Sequence, residues 1–168
     1  ADNYKVLSDV AQFAFKQKNM ALLPGNVACS KSVPPGMEKV AVFGKGWGKE
    51  LRLPNRGDTG SFFVDFVLAR ISSLGKLEEF VAVEVQSIDT TGNYRDERQA
   101  YMQGAKHEKN STAGFNWENV NKRILPQLIY KGHVLRRERL CKQGLFFICP
   151  SLVYHKIRRR LGGNLLEY

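Results

Sequence analysis

The chain has 168 residues, of which 43% are hydrophobic, so it is expected to fold as one globular domain over residues 1–168 rather than to be disordered. It contains no run of about 18 apolar residues and no signal-peptide pattern, which argues against a membrane-spanning or secreted protein. Three widely spaced cysteines fit a reduced, cytoplasmic protein better than a disulfide-bonded one.

The net charge of +10 comes from a single segment, residues 122–160. This segment has eleven Lys or Arg residues and one acid, Glu138, whereas the rest of the chain has fifteen bases and fifteen acids. A localised basic excess predicts a surface that binds a polyanion, and a merely solubilising surface is the alternative. The candidates for phosphate contacts are Lys122, Arg123, Arg136, Arg137, Arg139, Arg158, Arg159 and Arg160.

The first sixty residues contain signals for a helix, a loop and two strands. Apolar residues three and four positions apart predict an amphipathic helix over residues 3–18. The Pro- and Gly-rich stretch that follows predicts a loop with a short strand near residues 26–30. Strands are then expected at 39–43 and 50–53. Asp58 lies in the next turn and is a possible additional acid of a site, although a turn or capping role is the alternative.

Residues 62–89 predict a β-hairpin. Two runs rich in β-branched and aromatic residues flank a polar break at residues 72–77, which has turn composition. If the turn is centred in that break, facing residues have numbers that sum to 149, so Asp65 faces Glu84. Gln86 lies two residues beyond Glu84 and therefore on the same face of the sheet.

Two facing acids in this hairpin need an explanation, because both strands are apolar on both faces and predict a buried central sheet. Like charges directly opposite each other repel. Buried carboxylates would therefore share a proton or hold a cation, and Mg²⁺ prefers oxygen ligands of this kind. The alternative is that one acid is solvated at a strand end or paired with Arg70 or Lys76.

The pattern of Asp65 on one strand and Glu84-Val85-Gln86 on the next resembles that of the PD-(D/E)xK nuclease superfamily, with Gln86 in place of the usual Lys. The stretch FFVDFVLARI, followed by FVAVEVQSIDTTGNYR, looks most like the NotI type of restriction endonuclease, which also has Glu-x-Gln. The resemblance is clearest over about residues 40 to 160.

This resemblance implies an α/β fold in which helices flank a mixed central β-sheet. It also implies a Mg²⁺-dependent endonuclease that cleaves double-stranded DNA, with a homodimer if the recognised site is palindromic. Asp65 and Glu84 would be catalytic metal ligands, the carbonyl of Val85 would be a third ligand, and Gln86 would orient water. A core amide satisfied by the backbone is the alternative role for Gln86.

Two other functions share much of this evidence. A structure-selective nuclease for junctions or repair intermediates would use the same chemistry. A non-catalytic DNA-binding module would keep the fold and the basic segment without cleaving DNA.

The region after the hairpin predicts mostly helices. Residues 95–110 are strongly polar and suggest a helix or a surface excursion, in which Arg95 could reach a phosphate. An apolar stripe over residues 117–128 predicts a helix that is kinked at Pro126 and ended by Gly132.

The C-terminal part predicts one more strand and one more helix. The apolar run at residues 144–149 has strand composition and is closed by a proline. Ser151 is expected to cap a last helix that runs to Leu161. Strands and helices alternate here, which favours a mixed α/β sandwich.

Overall fold

The computed structural model describes residues 4–48, 50–52, 63–86, 90–91, 114–115, 118 and 120–162. Contacts divide the chain into two compact units. The first consists of residues 1–85 and 128–148, and the second consists of residues 86–127 and 149–168. No helix in the described ranges is long and apolar enough to cross a membrane.

The first unit is built on a five-stranded sheet. Its strands are β1 (Met20–Pro24), β2 (Glu38–Gly44), β5 (Phe66–Ile71), β6 (Leu77–Val85) and β9 (Leu145–Ile148), side by side in that order. β1 runs parallel to β2, and β9 runs parallel to β6, whereas β5 is antiparallel to both of its neighbours. The sheet is therefore mixed, as predicted.

Four short strands form two separate ladders. In the first unit, β3 (Leu51–Arg52) pairs with β4 (Phe63–Val64) in antiparallel fashion. In the second unit, β7 (Thr90–Thr91) pairs with β8 (Gly114–Phe115). The predicted strand at residues 50–53 corresponds to β3.

Helices cover both faces of the five-stranded sheet. Helix α1 (Lys5–Phe15) packs its apolar side on one face, where Leu68 and Val83 are buried. The end of helix α2 (Leu125–Leu135) packs on the other face, where Leu135 contacts the cluster that contains Val67 and Ala82. Alternate residues of a strand point to opposite faces, so the apolar runs of β5 and β6 supply both cores. An α/β fold with a sheet flanked by helices is confirmed.

Helix α3 (Ser151–Leu161) belongs to the second unit and buries Val153 and Ile157. Its span agrees with the predicted last helix. Ser151 does not cap it, however, because Pro150 occupies the cap position and no side-chain cap hydrogen bond forms. Pro150 has a φ of −58°, and Ser151 is already the first helical residue.

The central hairpin has the predicted register. Five pairs, from Phe66 with Val83 to Arg70 with Glu79, have numbers that sum to 149. The register then shifts at Ile71, which pairs with Leu77. The turn is closed by a hydrogen bond of 2.9 Å from the Ser72 amide to the Lys76 carbonyl.

Two further local predictions were wrong. Residues 26–30 form turns rather than a strand, and the strand in this region is β1, where the apolar run Ala21–Leu23 pairs with β2. Gly132 does not end α2, which continues to Leu135. A glycine costs a helix about 1 kcal/mol relative to alanine. Burial of a Leu side chain is worth about 1.5–3 kcal/mol, which is enough to carry the helix past Gly132.

Candidate active site at the open end of the central hairpin

The hairpin of β5 and β6 has two ends, which are called here the turn end and the open end. The turn end is the loop Ser72–Lys76. The open end is the opposite one, where Asp65 precedes β5 and where Glu84 and Val85 complete β6. Glu84 lies two residues beyond Ala82, so it belongs to the face of the sheet that α2 covers.

The side chain of Asp65 is tied to the end of β6. Its Oδ2 accepts a hydrogen bond of 2.8 Å from the backbone N–H of Val85. The backbone of Asp65 packs against Gly44, where an added Cβ would collide with the Asp65 carbonyl oxygen. Gly44 also has a φ of +140°, so only glycine fits this position without strain. Asp65 is therefore held by two neighbouring strands.

Glu84 is paired with a lysine of α2. The Lys131 Nζ lies 2.5 Å from Glu84 Oε1, and the two side chains are only 5% and 13% exposed. The second oxygen, Oε2, is buried and has no hydrogen-bond partner among the described residues. Burial raises the pKa of Glu84, the Lys131 ion pair opposes that rise, and the nearby Asp65 carboxylate adds to it. The open end thus has two adjacent acids and one unsatisfied carboxylate oxygen.

Lys131 was not predicted as a site residue, although the sequence contains a signal for it. The apolar stripe that includes Ile124 and Leu128 continues at the same helical spacing to Lys131 and Leu135. A lysine on the buried stripe of a helix needs a charged partner, because an unpaired buried ammonium is costly. The position of Lys131 therefore indicates a buried acid, but not which acid.

The residues at the open end fit a divalent cation. Carboxylate oxygens are the ligands that Mg²⁺ prefers, and Glu84 has a buried oxygen without a partner. Within the described part of the chain, no group of three or more His, Cys, Asp or Glu side chains converges on one point. Asp65 and Glu84 would thus supply two ligands, and main-chain oxygens or water would complete the set.

A comparison with protein families assigns the chain to a known family. The model of the restriction endonuclease NotI family matches residues 33–143, about two thirds of the sequence. The chain belongs to the NotI restriction endonuclease family. A search of individual curated proteins found no match. The matched span includes Asp65, Glu84 and Lys131, and it excludes α1 and α3.

Membership in the NotI family makes the chain a restriction-endonuclease relative, in a family of DNA-binding nucleases. Two of the predicted site residues lie next to the acid pair in the sequence: Val85 is at the exposed end of β6, and Gln86, directly after it, is partly buried. Asp58 and Arg95 lie outside the described residues.

Among the described residues of this NotI-family chain, the alternative pairing of a site acid with Arg70 or Lys76 is not observed. Arg70 lies near the turn end and pairs with Glu79 at 2.8 Å, with Glu38 at 3.2 Å and with Glu78 at 3.4 Å. Glu84 pairs with Lys131 instead. The positive charge beside the buried acid at the open end is thus a lysine from a helix that the hairpin sequence does not reveal, and a divalent cation shared by Asp65 and Glu84 stays a prediction.

The eight predicted phosphate-binding residues of the described basic segment are all exposed. Lys122 forms a surface ion pair of 2.5 Å with Glu118, one helical turn earlier. In the first unit, Arg136, Arg137 and Arg139 lie in the segment after α2. This segment is anchored to β6 by two hydrogen bonds, from Phe80 N–H to the Leu140 carbonyl and from Ala82 N–H to the Gly144 carbonyl.

Proposed function

We propose that this chain is a Mg²⁺-dependent DNA endonuclease of the type II restriction class, with an active site of the PD-(D/E)xK kind. One observation carries the proposal: a buried Glu84 carboxylate with a free oxygen lies beside Asp65 at the end of the central strands. Buried polar atoms are usually hydrogen-bonded, and Glu84 Oε2 has no such partner among the described residues. Membership in the NotI family supplies the chemistry that such a pair would serve.

The proposed roles follow from the chemistry of each side chain. Asp65 and Glu84 hold the cation, and the main-chain carbonyl of Val85 is the third protein ligand. When bound, Mg²⁺ would act as a Lewis acid, which lowers the pKa of water and offsets negative charge at the phosphate. Gln86 orients the attacking water by hydrogen bonding, since an amide has one acceptor and two donors and cannot act as a base.

The substrate is double-stranded DNA, and the reaction is hydrolysis of a phosphodiester bond. The basic segment and Arg95 contact phosphates, which supplies affinity that is independent of sequence. A palindromic recognition site requires a two-fold homodimer. We also propose that the enzyme acts in the cytoplasm and that residues 1–168 form one nuclease domain. In support of the single domain, residues 33–143, which the family model matches, belong to both units.

Plasmid cleavage with and without Mg²⁺ is the direct test. We expect discrete fragments with Mg²⁺, no cleavage without it, and no cleavage by Asp65→Asn. Asp9→Asn, which changes an exposed acid of α1, is the matched control and should cleave at the wild-type rate. A smear of products would favour a structure-selective or nonspecific nuclease. DNA binding without any cleavage would identify a binding module and contradict the proposal.

A further inference from the structure

Lys131 differs from every other base in the charged segment 122–160. The ten other Lys and Arg residues of that segment are exposed, whereas Lys131 is only 4% exposed. A buried ammonium is costly unless a close partner compensates for its lost hydration. Lys131 has such a partner in Glu84, whose Oε1 lies 2.5 Å from Nζ. The burial of this one lysine is therefore linked to the open end of the hairpin.

Stability alone does not account for a lysine at this position. Replacing a buried ion pair with well-packed apolar residues is often neutral or stabilising. The neighbours of Lys131 along the buried side of α2 are Leu128 and Leu135, so an apolar residue would continue the stripe. The lysine is thus better explained by what it does to Glu84 than by what it contributes to the core.

The hydrogen bonds at the open end divide the two carboxylates into fixed and free oxygens. Asp65 Oδ2 is fixed by the Val85 amide, and Glu84 Oε1 is fixed by Lys131. Glu84 Oε2 is buried and has no partner in the described part of the chain. A carboxylate that is held by one oxygen has lost most of its rotational freedom. Its second oxygen is then presented at a defined place.

We propose that Lys131 is a positioning residue, which fixes Oε1 of Glu84 so that Oε2 is presented to a divalent cation shared with Asp65. The inference rests on the proposed function, because it assigns Lys131 to the same metal site. Groups that orient metal ligands in this way typically change metal affinity by about 10- to 100-fold when they are removed.

Two other roles for Lys131 make different predictions. A lysine that only substitutes for the metal would compete with it, so its removal would strengthen cation binding. A lysine with a purely structural role would affect folding and leave cation affinity unchanged once the protein is folded. Of these three roles, only the positioning role predicts weaker cation binding by a folded variant.

The test is Mn²⁺ binding to the protein without DNA, with free Mn²⁺ measured by electron paramagnetic resonance. Lys131→Met removes the charge and keeps the length of the side chain, and we expect it to weaken Mn²⁺ binding by at least about 10-fold. Lys131→Arg keeps a charged donor and should bind Mn²⁺ more tightly than Lys131→Met. Lys142→Met is the control, because Lys142 is exposed and lies 4.0 Å from Glu79 rather than near Glu84.

Folding is checked by circular dichroism before each titration. If Lys131→Met does not fold, Lys131→Gln takes its place and should also weaken binding by at least about 10-fold. Unchanged or tighter Mn²⁺ binding by the folded neutral variant would overturn the positioning role.

Asp65→Asn separates this inference from the proposed function. If Asp65→Asn leaves Mn²⁺ affinity unchanged, the metal site is wrong and both proposals fail. If Asp65→Asn weakens Mn²⁺ binding but the neutral Lys131 variant does not, the metal site stands and only the role of Lys131 is wrong.

Discussion

Charged side chains cluster at both ends of the central hairpin, but the two clusters differ in how completely their charges are paired. At the turn end, Arg70 lies among Glu38, Glu78 and Glu79, and Lys142 approaches Glu79 from another segment. Burial by itself would lower the pKa of Arg70, but these three acids raise it above the usual value, so the side chain stays charged. Every acid of this cluster lies within 4.0 Å of a cation, so the carboxylates of the turn end are all ion-paired, although Arg70 Nε is buried without a hydrogen-bond partner among the described residues.

At the open end, by contrast, one carboxylate oxygen has no partner. Lys131 engages one oxygen of Glu84, and the other oxygen is buried without a partner in the described chain. A buried polar atom that lacks a partner reduces stability and is uncommon in folded proteins. A charged cluster is therefore not itself a sign of function. At the open end the unpaired atom is a carboxylate oxygen beside a second acid, which can bind a cation, whereas at the turn end it is an Arg70 nitrogen, which cannot.

The largest expected effect comes from neutralising Glu84 at the open end, and it is compared with neutralising Glu79, the buried acid of the turn end. Glu84→Gln should lower the single-turnover rate of plasmid cleavage with Mg²⁺ by more than about 100-fold, because loss of a metal ligand exceeds the loss of a group that orients one. Glu79→Gln, which changes the buried acid of the turn end, should cleave at the wild-type rate at a temperature where it is folded. Equal losses in both variants would remove the functional distinction between the two ends.

At the turn end, a substitution is expected to change the free energy of unfolding rather than the rate of cleavage. Arg70→Met leaves the buried Glu79 with only a distant lysine, so it should lower the free energy of unfolding by about 1–3 kcal/mol. This range is below that for a fully buried pair, since the Arg70 side chain is 22% exposed and solvent screens it. Urea denaturation measures the change, and Glu78→Gln, at a more exposed acid, is the control. Loss of Mn²⁺ affinity in folded Arg70→Met would show that the turn end also supports the metal site.

Two glycines offer a smaller and more local comparison. Gly44 at the open end has no room for a Cβ beside the Asp65 carbonyl, so Gly44→Ala must shift the backbone at Asp65. A displacement of about 1 Å can cost about 100-fold in rate, and we expect a loss of at least about 10-fold in cleavage. Gly75 at the turn end has a φ of +76° and nothing near its Cβ position.

Gly75→Ala should therefore cost only the left-handed backbone strain of about 1–2 kcal/mol and leave cleavage unchanged. Both variants are compared by single-turnover cleavage and by urea denaturation. Wild-type cleavage by Gly44→Ala would mean that the backbone adjusts without moving Asp65.

The sequence predicts the hairpin well because the information is local. Turn composition at Ser72–Lys76 and two apolar runs determine the register, and the register brings Asp65 to the level of Glu84. This register also places Arg70 opposite Glu79, but neither the pairing of Lys131 with Glu84 nor the contacts of Glu38 and Lys142 at the turn end could be predicted in this way. Those contacts depend on how α2 packs across the sheet and on which of several acids each cation reaches. No local periodicity encodes either of them.

Gly132 shows the same limit within a single helix. Glycine is a common residue just after a helix, so the local signal favoured an end at this position. The helix continues because Leu135, three residues later, is buried in the core with Val67 and Ala82. Tertiary packing outweighs the local preference, and the same three extra residues anchor the helix that carries Lys131.

The smallest expected effect concerns the basic segment, which tests where DNA lies relative to the two ends. Arg136→Ala/Arg137→Ala and Arg158→Ala/Arg159→Ala should each weaken binding to all duplex sequences alike. Each lost phosphate contact should flatten the slope of log affinity against log salt by roughly 0.9. The measurement is a salt titration of duplex binding with Ca²⁺ in place of Mg²⁺, so that DNA is bound without being cut.

Lys76→Ala, at an exposed base in the hairpin turn, is the control and should not change the slope. Arg136 and Arg137 lie in the segment that is hydrogen-bonded to β6 at Phe80 and Ala82, between the two ends of the hairpin. An effect of this pair alone would therefore place the duplex along that edge of the first unit. If neither arginine pair changes affinity or slope, the segment serves solubility and DNA must be held elsewhere. That result would leave the metal site untouched, because the proposed site consists of Asp65, Glu84 and Val85 and includes none of these arginines.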